Sequence, residues 1–194
     1  MEGQPPTGRT GEGVGGDRTD ELVPVATGTN VERTEPSVGQ HNYDLRQKPG
    51  VVLTRSERIR INEQAREIIA RRANAPETLT EEEKDILRQY TGAGGIASGT
   101  IEALNQHYTD YETVRAIYRA LDDAGFQYQK ALEPAVGSGN FVGHRPDLDW
   151  TTVDIDKTNY EIVKLLYPQA KHYNISFEDF KAGGFDLIIS NVPF

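Results

Sequence analysis

Apolar residues recur at helical spacing in three stretches of the chain between residues 54 and 125. The first stretch begins after Thr54, which has capping-box spacing from Glu57. The second begins at a clearer capping box, Thr80 and Glu83, and the third can be capped by Asp110. The apolar residues that share a face are Ile61, Ala65, Ile68 and Ile69 in the first stretch, Ile86, Leu87 and Tyr90 in the second, and Val114, Ile117, Tyr118 and Leu121 in the third. The pattern predicts three helices.

Beyond residue 125 the apolar pattern changes to short runs. The runs 130–133, 151–156 and 170–174 predict strands, and the run 185–191 predicts the strongest strand. A further helix is predicted over 159–168, where Pro168 ends it. Strands that are separated by helical or loop crossovers indicate a parallel sheet, so the pattern predicts an α/β fold.

Residues 1–50 show neither a helical nor a strand period, and they hold about half of the glycines and prolines of the chain. They contain few large apolar residues, so the burial available to them does not offset a backbone entropy cost of roughly 1–2 kcal/mol per residue. The whole chain is also polar, with 36% hydrophobic residues and a mean hydropathy of -0.61. We therefore predict a disordered tail over 1–50, in which the run LVPVA (22–26) could alternatively dock as a strand.

Composition restricts the function classes that remain. The sequence has no cysteine, which excludes disulfides and thiolate metal sites, and its histidines share no metal-ligand spacing, so no metal is expected. No apolar run approaches the roughly 18 residues that span a bilayer, and the N-terminus lacks the apolar core of a signal peptide. We therefore expect a soluble, cytoplasmic protein. The net charge of -9 argues against a strong phosphate-binding surface, so any nucleic-acid partner would have to be bound by local basic patches or by regions outside this chain.

The segment EPAVGSGNF (133–141) directly follows the first predicted strand. Gly137 and Gly139 remove side chains where a backbone turns sharply and a ligand can lie close. The three-glycine dinucleotide pattern is not met, because its third position is Val142, and the Lys-Ser/Thr pair of a phosphate-binding loop is missing from the sequence. The turn therefore favours a cofactor without phosphates.

Acidic residues lie at or near the ends of the next two predicted strands. Asp154 lies about twenty residues beyond Glu133, where a carboxylate can accept hydrogen bonds from both hydroxyls of a ribose. It could alternatively be a surface residue that caps the next helix, although Asp156 is better placed for that role. The carboxylate of Glu178 or Asp179 could accept a hydrogen bond from the amino group of an adenine, and we favour Asp179.

Five motifs follow one another along the chain: HYT (107–109), EPAVGSG (133–139), VDID (153–156), SFEDF (176–180) and NVPF (191–194). In this order they resemble the motifs of the S-adenosylmethionine-dependent amino-methyltransferases, and more narrowly those of the N6-adenine DNA methyltransferases. Upstream, RIRINEQAREII and LTEEEKDILRQYTGAGGI resemble the leader of large methylase–helicase proteins of phages and other mobile elements, which include antirestriction and restriction-modification factors.

The resemblance implies a Rossmann-like class I methyltransferase fold, of which this chain would hold the first four strands of a seven-stranded sheet. The implied order of these strands across the sheet is 3-2-1-4, which leaves the run 185–191 as an exposed edge. The chain would then divide into a tail over 1–50, a helical leader over 51–106 and a partial S-adenosylmethionine-binding domain over 107–194.

The resemblance also implies the roles of individual residues. Those expected to bind S-adenosylmethionine are Tyr108, Thr109, Glu133, Pro134, Gly137, Gly139, Asn140, Phe141, Asp154, Ile155, Glu178 and Asp179. The residues expected to form the catalytic motif are Asn191, Val192, Pro193 and Phe194. The family usually has prolines after the threonine of HYT and a proline in place of Val192, so Asp110 and Val192 are departures from its pattern.

Several functions share this motif set. An amino-methyltransferase that acts on RNA or on a protein glutamine uses the same tetrapeptide, and the upstream leader favours DNA only by analogy. A chain without the later strands could also be a non-catalytic subunit, or one piece of a split enzyme that a partner chain or a C-terminal remainder completes. In either case the isolated chain is expected to be poorly active.

Overall fold

The structure is a computed structural model that describes residues 32–34, 40–72, 79–93 and 108–192. Its described residues form a five-stranded sheet in the order β1-β4-β3-β2-β5. Strands β2 to β5 pair in parallel, whereas β1 is antiparallel to β4. The strands are β1 (Glu32–Thr34), β2 (Lys130–Glu133), β3 (Asp149–Val153), β4 (Lys171–Asn174) and β5 (Leu187–Ile188). The predicted α/β class and the predicted order of the four parallel strands are confirmed.

Five α-helices and one 3-10 turn (Phe177–Asp179) accompany the sheet in the described part of the chain. The helices are α1 (Arg55–Arg72), α2 (Glu81–Leu87), α3 (Tyr111–Asp123), α4 (Asn140–His144) and α5 (Lys157–Leu166). Both reciprocal bonds of the capping box form between Thr80 and Glu83, and Asp110 accepts the Thr113 N–H at 3.0 Å. The predicted starts of α2 and α3 are therefore confirmed, whereas the short helix α4 is not anticipated by the sequence pattern.

The helices of the predicted leader share one hydrophobic core with the sheet. This core contains Ala65 of α1, Leu87 of α2 and Trp150 of β3, all of them fully buried. A second cluster covers the other face of the sheet, where Tyr173 and Phe180 pack edge to face at 5.2 Å between ring centroids. Helices α1 and α2 are thus packed against the same layer that carries the predicted cofactor site.

Strand β5 differs from its prediction. The sequence pattern predicts the strongest strand over 185–191, but only Leu187–Ile188 has strand geometry. The flanking residues still bond to β2, because Asp186 donates its N–H to Lys130 O at 2.9 Å and Ile189 donates to Leu132 O at 3.0 Å. Among the described residues β5 pairs with β2 alone, and Ile188 is 61% exposed. A continuous apolar run predicts a strand whose two faces are both buried. A strand at the edge of a sheet buries only part of these side chains.

The prediction of a disordered tail is wrong for residues 40–50, which lie against the helical layer. Tyr43 donates its N–H to Leu166 O at 2.8 Å, and Leu45 donates to Gly143 O at 2.7 Å. The Leu45 side chain is fully buried and lies so close to Gly143 that a Cβ there would stand 2.5 Å from Leu45 Cδ1. Two apolar residues in a polar segment give no periodicity, and their partners lie about a hundred positions away. The run 22–26 lies outside the described residues.

Replacing Leu45 with alanine is expected to lower the free energy of unfolding by about 3 kcal/mol, because it leaves a cavity under a fully buried leucine. Chemical denaturation followed by circular dichroism measures this change. The matched control is Val52→Ala, since Val52 is 97% exposed, and its effect should stay within about 0.5 kcal/mol. Equal stability of the two variants would show that residues 40–50 are not packed as described.

Candidate functional site

The carboxyl ends of the parallel strands meet at one edge of the sheet, where strand β2 ends in a tight turn. Glu133 is the last residue of β2, and the turn leads directly into α4 at Asn140. Gly137 and Gly139 both have positive φ, at 56° and 80°. Such left-handed backbone favours glycine, so the sharp turn predicted for this segment is confirmed.

Two tyrosines of the chain itself lie against these glycines. A Cβ on Gly137 would stand 3.0 Å from Tyr108 Cε1, and a Cβ on Gly139 would stand 2.3 Å from Tyr167 Cε2. The close approach that the sequence predicts for a ligand is therefore made by aromatic rings. Both glycines are required by the packing of the turn, independently of what binds there.

Asp154 lies at the end of β3 and ties two elements together. Its Oδ2 accepts the Gly137 N–H at 2.9 Å and the Asn159 Nδ2–H at 3.2 Å, and its Oδ1 accepts the Asp156 N–H at 2.8 Å. Burial raises the pKa of Asp154 from 3.8 to about 6, and these backbone and amide donors oppose that rise. Asp154 is thus a buried acid at the sheet edge. The helix-capping role belongs to Asp156, as predicted, since Asp156 accepts the Thr158 N–H at 2.7 Å.

Glu133 is the second buried acid at this edge. Its side chain is almost fully buried, and its Oε2 has no hydrogen-bond partner in the described part of the chain. Burial, and then the nearby Asp154 carboxylate, raise the pKa of Glu133 well above its ordinary value. A buried carboxyl oxygen without a partner is costly, and a donor or a positive charge on a bound ligand would satisfy it.

The segment that begins at Tyr108 packs across the turn. The Tyr108 hydroxyl donates to Asn159 Oδ1 at 3.1 Å, and Asn140 Nδ2 donates to Thr109 O at 2.8 Å. The ring of Tyr90, which follows α2, meets the Tyr108 ring edge to face at 6.5 Å between centroids. These contacts connect the helical leader with the glycine turn.

Sequence reasoning misses Tyr90 and Asn159 as site residues. Asn159 is 6% exposed although it is polar, and it lies five positions after Asp154 in the first turn of α5. A polar residue on the buried face of a predicted helix was the available signal. The apolar pattern identifies Tyr90 only as part of a buried stripe.

The remaining predicted cofactor residues divide into exposed and buried groups. Ile155 is 76% exposed beside Asp154, and Glu178 and Asp179 are exposed on the 3-10 turn after β4. Phe141 is buried in the core against Tyr118, and Pro134 is also buried. The structure therefore brings Ile155, but not Phe141, to the surface of the sheet edge.

The first half of the predicted catalytic motif follows β5. Asn191 is exposed and Val192 is 47% exposed. Because β5 is parallel to β2 and Ile189 is bonded to Leu132 O, Asn191 follows its strand at the same edge as Glu133. Pro193 and Phe194 lie outside the described residues.

Two further groups of findings concern metals and membranes. In the ranges that the structure describes, no three His, Cys, Asp or Glu side chains are arranged to hold a metal ion. Two histidines have internal partners: His144 Nδ1 bonds with Asn140 O, and His172 lies between Thr152 and Tyr167 O. Within the same ranges, none of the helices combines the length and the apolar character that a membrane span requires.

Comparisons with known proteins give one informative result. No family model matches the chain. A curated protein of Escherichia phage P1, named "Defense against restriction protein B", is 30% identical over 122 residues. This match covers 60% of the chain but only 5% of the length of the phage protein. The similarity is consistent with the antirestriction part of the resemblance in the sequence.

Proposed function

We propose that the chain binds S-adenosylmethionine at the carboxyl edge of its parallel sheet and serves the transfer of the methyl group to N6 of adenine in DNA. The observation that carries the proposal is the pair of buried acids: Asp154, which accepts the Gly137 N–H at 2.9 Å, and Glu133, whose Oε2 is unpartnered in the described part of the chain. Open α/β sheets bind ligands in the crevice at this edge.

The charges at this edge favour a ligand that is cationic and free of phosphate. Burial is the main cause of the raised pKa values of Glu133 and Asp154, and a neighbouring acid adds to each: the Asp154 carboxylate raises the pKa of Glu133, and the Asp156 carboxylate raises that of Asp154. A pyrophosphate here would face like charges. S-adenosylmethionine instead carries a sulfonium and an ammonium, which would stabilise buried carboxylates. The exposed side chain of Ile155 offers an apolar surface to an adenine ring.

The reacting amine would be held by the motif that begins at Asn191. The lone pair of an adenine N6 is delocalised into the ring, so it is a poor nucleophile. The Asn191 side-chain oxygen and a backbone carbonyl of the Val192–Pro193 region can accept its two N–H groups, which localises the lone pair and aims it at the methyl carbon. With the amine held in this way, S-adenosylmethionine would supply the methyl group to N6 and keep the electron pair of its C–S bond on sulfur, and N6 would lose a proton. Phe194 would provide a face for a base that has left the stack.

Equilibrium binding by isothermal titration calorimetry tests the cofactor. S-adenosylmethionine and its demethylated product are expected to bind, whereas ATP and NAD are expected to give no binding heat at the same concentrations, because both carry phosphates into an acidic crevice. Binding of ATP or NAD in preference to S-adenosylmethionine would contradict the proposal.

A second proposal concerns the biological role. The phage P1 relative is named for defence against restriction, and this favours a role of the chain in the same process. DNA methylation would contribute directly to defence against restriction. A binding module without catalysis would contribute to it through a partner. Cofactor binding without transfer to DNA, RNA or a protein glutamine would favour the binding module.

A further inference from the structure

Asn159 joins two residues of the candidate site through a single side chain. Its Oδ1 accepts the Tyr108 hydroxyl at 3.1 Å, and its Nδ2 donates to Asp154 Oδ2 at 3.2 Å. The residue is 6% exposed, so these bonds are shielded from water. Asn159 also donates its N–H to Asp156 Oδ1 at 3.3 Å, which fixes the start of α5 beneath it.

The direction of the Asn159 amide follows from its partners. A carboxylate only accepts hydrogen bonds, so the amide must turn its NH₂ toward Asp154. The carbonyl oxygen then faces Tyr108, whose hydroxyl can donate. The reverse orientation would place two acceptors, Oδ1 and Asp154 Oδ2, against each other. Tyr108 and Asp154 together leave one favourable orientation.

The hydrogen bonds of Asp154 limit what it can still accept. A carboxylate has about four acceptor positions, two on each oxygen. Oδ2 accepts from Gly137 N and Asn159 Nδ2, so both of its positions are taken. Oδ1 accepts from Asp156 N, which leaves one position on that oxygen. An acid at this place in the fold is expected to take both hydroxyls of a ribose, but this one has room for a single hydroxyl.

We propose that Asn159 is a positioning residue: it fills the second acceptor position of Asp154 Oδ2, so that Asp154 reads one hydroxyl of a bound ribose, at Oδ1. This inference rests on the proposed function, because it takes the ligand to be a nucleoside. The titratable groups that interact electrostatically with Asp154 are Asp156, Glu133 and Tyr108, and a substitution of Asn159 alone changes none of these three residues.

Calorimetry with the unaltered chain and S-adenosylhomocysteine analogues tests the hydroxyl count. One analogue lacks the 2′-hydroxyl and the other lacks the 3′-hydroxyl. Loss of the hydroxyl that Asp154 accepts is expected to weaken binding about tenfold or more, as for a hydrogen bond to a charged group, and loss of the other less than about twofold. Equal weakening by both deletions overturns the inference.

The Asn159→Leu variant frees one acceptor position on Oδ2, and both deletions should then weaken binding to a similar degree. Tyr108→Phe is the matched control, since it removes a partner of Asn159 but keeps the bond to Asp154. Even if the control binds both analogues more weakly, the ratio of its affinities for the two analogues should equal that of the unaltered chain. If Asn159→Leu has the same ratio of affinities for the two analogues as the unaltered chain, Asn159 does not have the proposed role.

A ligand-free measurement separates this inference from the proposed function. The Asp154 carboxyl is titrated by ¹³C NMR in the unaltered chain and in Asn159→Asp, which keeps the size but replaces the donor with a charged acceptor. The pKa of Asp154 should rise in the variant, and an unchanged pKa overturns the positioning role. If S-adenosylhomocysteine does not bind at all, the proposed function and the hydroxyl count both fail, while the titration still decides whether Asn159 controls Asp154.

Discussion

The Asn191→Ala variant is expected to lose methyl transfer to adenine-containing DNA by about a hundredfold to a thousandfold, which is the typical effect of removing one group that stabilises a transition state. The side-chain oxygen of Asn191 would accept an N–H of the target amine, and that bond strengthens as positive charge develops on N6. The residue is exposed at the end of β5 and makes no described bond that holds the fold, so the loss should be specific to catalysis. Transfer of radiolabelled methyl from S-adenosylmethionine to DNA measures it.

The affinity of Asn191→Ala for S-adenosylmethionine is the internal control, and it should equal that of the unaltered protein. A variant that binds the cofactor normally and transfers methyl at the unaltered rate would remove Asn191 from the active site. A loss of binding together with transfer would instead indicate that the change disturbs the sheet edge.

The Asp154→Ala variant is expected to bind S-adenosylmethionine about tenfold to a hundredfold more weakly, because a hydrogen bond to a buried carboxylate is lost. In the unaltered protein this affinity should also rise with pH through about 6, the raised pKa of Asp154, since the charged form is the better acceptor and attracts the cationic cofactor. Calorimetric titrations at several pH values between 5 and 8 measure both effects.

The raised pKa of Asp154 has the opposite consequence for stability. The folded state holds the proton more tightly than the unfolded state, so the stability that Asp154 contributes is present below 3.8 and is lost as pH rises through about 6. Cofactor binding and folding thus respond to pH in opposite directions over the same interval.

Asp149→Ala is the matched control for Asp154→Ala, because Asp149 is an exposed acid at the amino end of the same strand. It should keep both the affinity and the pH dependence. If Asp154→Ala retains the rise in affinity near pH 6, another group is responsible and Asp154 does not contact the ligand.

Local signals in the sequence account for much of the helical layer. The capping boxes at Thr54 and Thr80 and the cap at Asp110 mark helix starts that the structure confirms, because each is a bond between residues three positions apart. The order of the parallel strands also agrees with the order that the family resemblance implies. Asp154 and Glu133 are predictable from the sequence because strand ends and glycine turns have recognisable spacing.

The contacts that sequence reasoning missed are long-range. Leu45 packs on Gly143, Tyr167 lies on Gly139, and Asn159 bonds to Tyr108. Each pair is separated by at least 28 positions in the sequence. The periodicity of apolar residues does not indicate contacts between such distant positions. A single polar residue on a helix also gives no sign of whether it is buried or solvated. The predicted length of β5 is wrong for a related reason: an apolar run does not reveal how many strands will pair with it.

The most direct test of the central proposal is mass spectrometry of nucleosides from DNA incubated with the protein and S-adenosylmethionine that carries a trideuterated methyl group. Digestion to nucleosides then identifies which base, and which nitrogen, received the label. Under the proposed function, trideuteromethyl appears on N6 of deoxyadenosine, at a low level for the isolated chain but above the level that the Asn191→Ala variant reaches. Label on cytosine, or DNA without label although the protein binds the cofactor, would contradict it.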